Sequence, residues 1–108
     1  MVNSPSRLDA VYSAIADPTR RAMVERLSRG GLSVSELGQP FAMTLAAVGK
    51  HVAVLEAAGI VRTTKIGRVR SCAMVPNALG DATSWLARHE QFWNSRVDAL
   101  IEHLEEKS

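Results

Sequence analysis

With 108 residues, 46% of them apolar, the chain has the length of one domain and the material for one small core. Its single cysteine, Cys72, excludes an intrachain disulfide, a CxxC redox pair and a multi-thiolate metal site within one chain. No apolar run is long enough to span a bilayer or to act as a signal peptide, so the expected location is cytoplasmic, with no membrane partner. The net charge of +2 is unevenly placed: from Pro18 to Pro76 nine Lys/Arg face three acids, and from Asn77 onward three bases face six acids. A basic middle beside an acidic end fits a nucleic-acid partner, and equally two differently charged solvent faces; charge alone leaves both open.

In chain order, Ser4-Pro5 is a start signal for a first helix of about residues 5–16, with Leu8, Val11, Tyr12 and Ile15 on one stripe. Asp17-Pro18 repeats the signal and opens a second helix to about Arg29, with Ala22, Met23 and Leu27 inward and Gly30-Gly31 as its close. Leu32 to Val34 has room for a very short strand, while Ser33 to Glu36 reads as a capping box opening a short third helix. Gly38 weakens that helix and Pro40 stops it.

After the turn Phe41-Ala42-Met43, Thr44 is an N-cap and Gly59 a stop. Between them Leu45, Val48, Val52 and Leu55 form an inward stripe. The opposite face carries Ala46, Ala47, Lys50, Ala53 and Ala57, with His51 at its flank and no carboxylate. Such a face lets a helix press against a polyanion, alanine touching a thymine methyl and lysine reaching a phosphate or a guanine edge; a buried helix with a short polar edge has the same pattern. Short helix, turn and longer helix is the order of a helix-turn-helix, the second helix being the reader.

Next, Ile60 to Ile66 is rich in strand formers, Gly67-Arg68 marks a turn, and Val69 to Val75 alternates as a half-buried strand. The hairpin carries Lys65, Arg68 and Arg70 near its tip, as a wing would. Asn77 is placed to cap a last helix over about 77–105. Ala82, Leu86, His89, Trp93, Val97, Leu100 and Leu104 recur along it at steps of three and four, widened by Leu79, Trp85, Phe92 and Ile101. Trp85, Phe92 and Trp93 are more aromatic surface than so small a monomer can leave exposed, which predicts a partner copy. The expected architecture is mainly α with a small β-hairpin: about five helices and a two-stranded wing, in a single domain spanning 1–108.

These residues resemble the ArsR/SmtB family of transcriptional regulators. Ala16-Asp17-Pro18-Thr19-Arg20-Arg21 is similar to the family's ADPTRR opening, Thr44 to His51 to its recognition-helix start, and Leu55 to Val61 to its LxxAGLV ending, over about Leu8 to Val75 in all. Gly49 departs from the serine common there. The resemblance implies a homodimeric winged-helix repressor of a promoter with an inverted-repeat operator, with a DNA-binding core of about 18–76 and a dimer interface built from the first and last helices. It places double-stranded DNA on Thr44, Ala46, Ala47, Lys50, His51, Lys65, Arg68 and Arg70. The seam falls on Leu8, Tyr12, Trp85, His89, Phe92, Trp93, Val97, Leu100 and Leu104.

Family-type metal sites fit poorly. The third-helix type needs paired cysteines around Glu36-Leu37, and there are none. The last-helix type finds His103-x-x-Glu106, but Glu90 and Phe92 stand where its first half belongs, and phenylalanine does not ligate. No cofactor and no metal are expected, and the small-molecule effector is left open. Catalysis finds no local motif, and Gly30-Gly31 lacks the lysine of a phosphate loop. The alternatives are a winged-helix protein-interaction module without DNA binding, and a metal-responsive repressor using last-helix ligands.

Overall fold

The computed structural model describes residues 6–107. The elements run α1 (Arg7–Ile15), α2 (Pro18–Leu27), β1 (Leu32–Ser33), α3 (Val34–Gly38), α4 (Leu45–Ala57), β2 (Val61–Ile66), β3 (Val69–Met74) and α5 (Gly80–Glu106). Five helices and an antiparallel sheet make the expected winged helix-turn-helix. The sheet gains a third strand, because β1 pairs with the free edge of β3 through Leu32 with Cys72 and Ser33 with Ser71, giving the order β1-β3-β2.

Local chemistry sets most boundaries. The Ser4-Pro5 start signal lies outside the described residues; α1 is capped by Ser6, whose hydroxyl accepts from Asp9 N–H in a reciprocal capping box. Asp17 caps α2 with Pro18 in its first turn, and Ser33 caps α3 with Glu36 answering. At the end of α4, Gly59 takes φ +76°. Its N–H donates to the Glu56 carbonyl, and Ile60 N–H donates to the Leu55 carbonyl, the paired bonds of a left-handed helix stop.

Two expectations fail. Asn77 does not cap the last helix: it sits in a turn at φ +58°, a conformation asparagine tolerates, and its carbonyl accepts from Gly80 N–H. Helix α5 starts at Gly80 without a side-chain cap, and Asp81 supplies the negative charge in its first turn. Leu45 does not join the inward stripe. It is 60% exposed, because Phe41 and Met43 pack against the core ahead of α4 and the buried stripe begins at Val48.

The core is one apolar cluster, with Val11 and Ala14 from α1, Met23 and Leu27 from α2, Leu37 from α3, Val48, Val52 and Leu55 from α4, and Cys72 from β3. Helices α3 and α4 approach so closely that a Cβ on Gly38 would stand 2.6 Å from Val48 Cγ2. Glycine here permits the crossing rather than merely weakening a helix. From α5 only Ala82 is buried; the first turns rest on α1 and the distal part projects away, so the molecule extends 70 Å along its longest axis.

Candidate nucleic-acid interface

Helix α4 and the β2–β3 hairpin flank one open groove of about 530 Å³, lined by Ser33, Ser35, Leu45, Ala46, Gly49, Arg68 and Val69 among others. Ala46 is exposed on its helix side, Thr44 and Lys50 are exposed nearby on the same helix, and Ala47 is half-buried. The Thr44 hydroxyl accepts from Ala47 N–H at 3.1 Å, which leaves its own proton to donate outward. On the hairpin, Lys65, Arg68 and Arg70 are exposed around the Gly67 turn.

The carboxylate of α4 is held off this face. Glu56 accepts from the Thr63 hydroxyl at 2.8 Å and the Thr63 N–H at 3.0 Å, and Arg70 stands 3.7 Å away. The Thr63 hydroxyl, then its N–H, and more weakly Arg70, hold the Glu56 carboxyl below its ordinary range. Arg70 is therefore drawn toward the base of the wing, whereas Arg68 forms no ion pair among the described residues.

His51 is half-buried and turned toward α2, where Arg20 Nη1 lies 3.3 Å from its Nδ1. A guanidinium only donates, so Nδ1 accepts and the proton of the neutral ring sits on Nε2. The same Arg20 donates to the Ala14 and Ser13 carbonyls, and Arg21 to that of Ile15, so the paired arginines after Asp17-Pro18 close the basic-poor end of α1. Sequence reading missed this role, which only contact between helices reveals. It also missed Leu45 as a groove residue.

The residues expected at a dimer seam fall on α1 and α5. Tyr12 donates to the Ala82 carbonyl at 3.3 Å and meets Trp85 edge-on. His89 stacks on Trp85 at 3.9 Å, with Nδ1 2.8 Å from the Trp85 carbonyl. Farther along α5, Phe92 and Trp93 are 61% and 67% exposed, and Leu100 and Leu104 are also open, while Leu8 and Val97 are half-buried. Arg96 lies over the Phe92 ring at 4.9 Å. Cys72 is buried, and burial pushes its thiol up, away from reactivity. Among the described residues no group of three His, Cys, Asp or Glu side chains converges as a metal site, and no helix is long and apolar enough to cross a membrane.

Residues 15–64 match a family model described as a helix-turn-helix domain. The chain is 38% identical over 85 residues to the HTH-type transcriptional regulator Rv2034 of Mycobacterium tuberculosis, covering 79% of this chain and 77% of that one. It is similar, at 23% identity over 79 residues, to the transcriptional repressor SdpR of Bacillus subtilis, covering 73% and 88% of the two chains. The crystal structure of an ArsR family transcriptional regulator is 45% identical and superposes with a TM-score of 0.78 over 82% of this chain and 98% of that one.

Proposed function

Because the chain belongs to the ArsR family of transcriptional regulators, a family of regulators rather than enzymes, we propose that it binds a specific duplex DNA sequence as a symmetric homodimer and represses the promoter carrying it. The observation that carries this reading is the exposed outer face of α4, with Thr44, Ala46 and Lys50, beside a groove that Ala46 lines together with Arg68, the one carboxylate of the helix being held by the Glu56–Thr63 bonds. In a low-dielectric contact with phosphates a carboxylate on that face would cost more than the neighbouring lysine returns.

Each residue then has a role. Thr44 donates its hydroxyl proton to a phosphate at the N-terminus of α4, where the helix dipole also favours an anion. Ala46 and Ala47 lie against the major-groove floor, and Lys50 reaches a phosphate or a guanine edge. Arg68 and Lys65 extend from the wing to the backbone, with Arg70 the weaker contact because Glu56 competes for it. His51 acts from the flank through its Nε2 proton. The domain is single, with DNA contacts drawn from about 18–76. The seam lies on about 5–16 and 77–105, where the rings of α5 are left exposed by the described residues. The repressing direction is supported by the name of the SdpR relative.

Selection of bound duplexes from a random pool tests the reading. Two reader helices related by a two-fold axis should recover an inverted repeat, with half-site centres about 10 base pairs apart or a multiple of that. Recovery of only asymmetric or single-stranded ligands would sink it. A protein-interaction module would instead leave heparin at low salt and enrich no motif.

A further inference from the structure

Leu45 is an apolar side chain at the first position of a capped helix, 60% exposed, on the helix proposed to read DNA. It lies outside the core: the buried stripe of α4 starts at Val48. One helical turn on, at i+4, Gly49 occupies the same face, and a Cβ built there meets nothing within 4 Å. Packing therefore does not demand a glycine at 49, and its absent side chain leaves a recess beside Leu45. Ala46 adds a third surface without hydrogen-bonding groups, while Arg68 and Arg70 stand across the groove.

On the α4 side the groove wall of Leu45, Ala46 and Gly49 is apolar, with Ser33 and Ser35 beside it and the two arginines across, and such a wall suits one kind of group on a polyanion. On the major-groove edges of the four base pairs the thymine 5-methyl is the one apolar group that projects into the groove; cytosine offers only a flat C5–H there, and the remaining positions are donors or acceptors that an apolar surface would leave unpaired. Resting on the DNA-binding reading above, we propose that Leu45 is a specificity-determining residue: it covers a thymine 5-methyl seated in the recess over Gly49, and so selects thymine at one position of each half-site. The selection is by burial of a methyl, so it discriminates thymine from uracil as well as from the other bases.

The test uses the full chain and a duplex selected from a random pool. Each thymine in turn is replaced by deoxyuridine, which removes only the methyl, and affinity is read by fluorescence anisotropy. At one thymine per half-site the wild type should lose about three- to five-fold per half-site, the worth of one buried methyl. Leu45→Ala, which removes an exposed side chain and should melt like wild type, should bind the thymine duplex more weakly and show no loss on that replacement. Gly49→Ala should fill the recess and likewise lose the thymine-over-uracil preference. A scan that is flat for a duplex the wild type binds overturns this proposal and leaves the DNA-binding reading standing. So does a methyl dependence that Leu45→Ala retains in full. Failure to recover any bound duplex overturns both.

Discussion

Glu56 shows how one side chain decides what a helix face can do. It is the sole acid between Thr44 and Gly59, and the wing, not solvent, holds it. Its folded carboxyl lies below the ordinary value of 4.5, so the bonds to Thr63 stabilise the fold above that value and are lost as pH falls through the depressed one. Asp17, which accepts the backbone N–H of Arg20, and Glu36, which accepts from the Ser33 backbone and hydroxyl, shift in the same direction at their helix starts. The melting temperature should accordingly fall on acidification below about pH 4.5, and Glu56→Gln should show a shallower fall than wild type. An equally steep fall in the variant would mean that Glu56 is not among the groups responsible. Lys50 is the opposite case, exposed and outside the core. Lys50→Ala should leave the melting curve unchanged. If each Lys50 neutralises one phosphate, its loss from a dimer should flatten the log–log salt dependence by about two units. If it reads a guanine, the loss should be ~1–3 kcal/mol per half-site on cognate DNA alone. A folded variant with unchanged binding on every duplex and at every salt concentration would remove α4 as the reader.

The presentation of that face depends on how α3 and α4 cross. Gly38 and Gly49 make a matched pair for testing this, since both are helical glycines. At Gly38 a methyl would meet Val48 Cγ2 at 2.6 Å and its Cβ at 3.4 Å, and a β-branched side chain has no rotamer freedom with which to retreat. Gly38→Ala should destabilise by ~1–3 kcal/mol through overpacking, despite alanine's better helix propensity. Adding Val48→Ala should return part of that loss, a non-additivity that a double-mutant cycle in urea would measure. Gly49→Ala, with open space around it, should instead be neutral or stabilising by up to ~1 kcal/mol. Equal effects at the two sites would contradict the close approach of α3 to α4.

For the whole molecule the issue is α5. A folded chain of this length has a radius of gyration near ~13 Å when compact, against 19.2 Å here, because the distal part of α5 extends beyond the other described elements. The exposed Phe92, Trp93, Leu100 and Leu104 are the surface that a second copy would cover in the proposed dimer. Trp93→Ala and Leu100→Ala each remove a side chain that contributes little to the isolated fold. In a dimer each would forfeit the ~2–5 kcal/mol typical of a buried large apolar group. Sedimentation should find folded monomer at concentrations where the wild type is dimeric. Two variants that remain dimeric would move the seam off α5.

What the sequence alone determined is what depends on neighbours in the chain. Asp17-Pro18, Ser33 with Glu36, Thr44 and Gly59 act over three or four residues, so the starts of α2 to α4 and the stop of α4 were legible in the sequence. The hairpin was legible too, because its partner strands are joined by a short turn. The winged helix-turn-helix followed from that order of elements. Tertiary structure decided whatever needed a distant partner. The pairing of β1 with β3 joins residues some forty apart, and the Arg20–His51 contact joins two helices. The same holds for Glu56, which reads as a plain surface acid until β2 brings Thr63 to it. Leu45 was misplaced because helical periodicity fixes a side chain's angle around the axis but not whether another element covers that turn. Phe41 and Met43 take the core positions ahead of it, so the same stripe is buried at Val48 and open at Leu45. Asn77 was misread for a related reason: an Asn side chain serves a helix cap and a left-handed turn alike, and which one forms depends on where the chain must go to dock α5 against Tyr12 of α1.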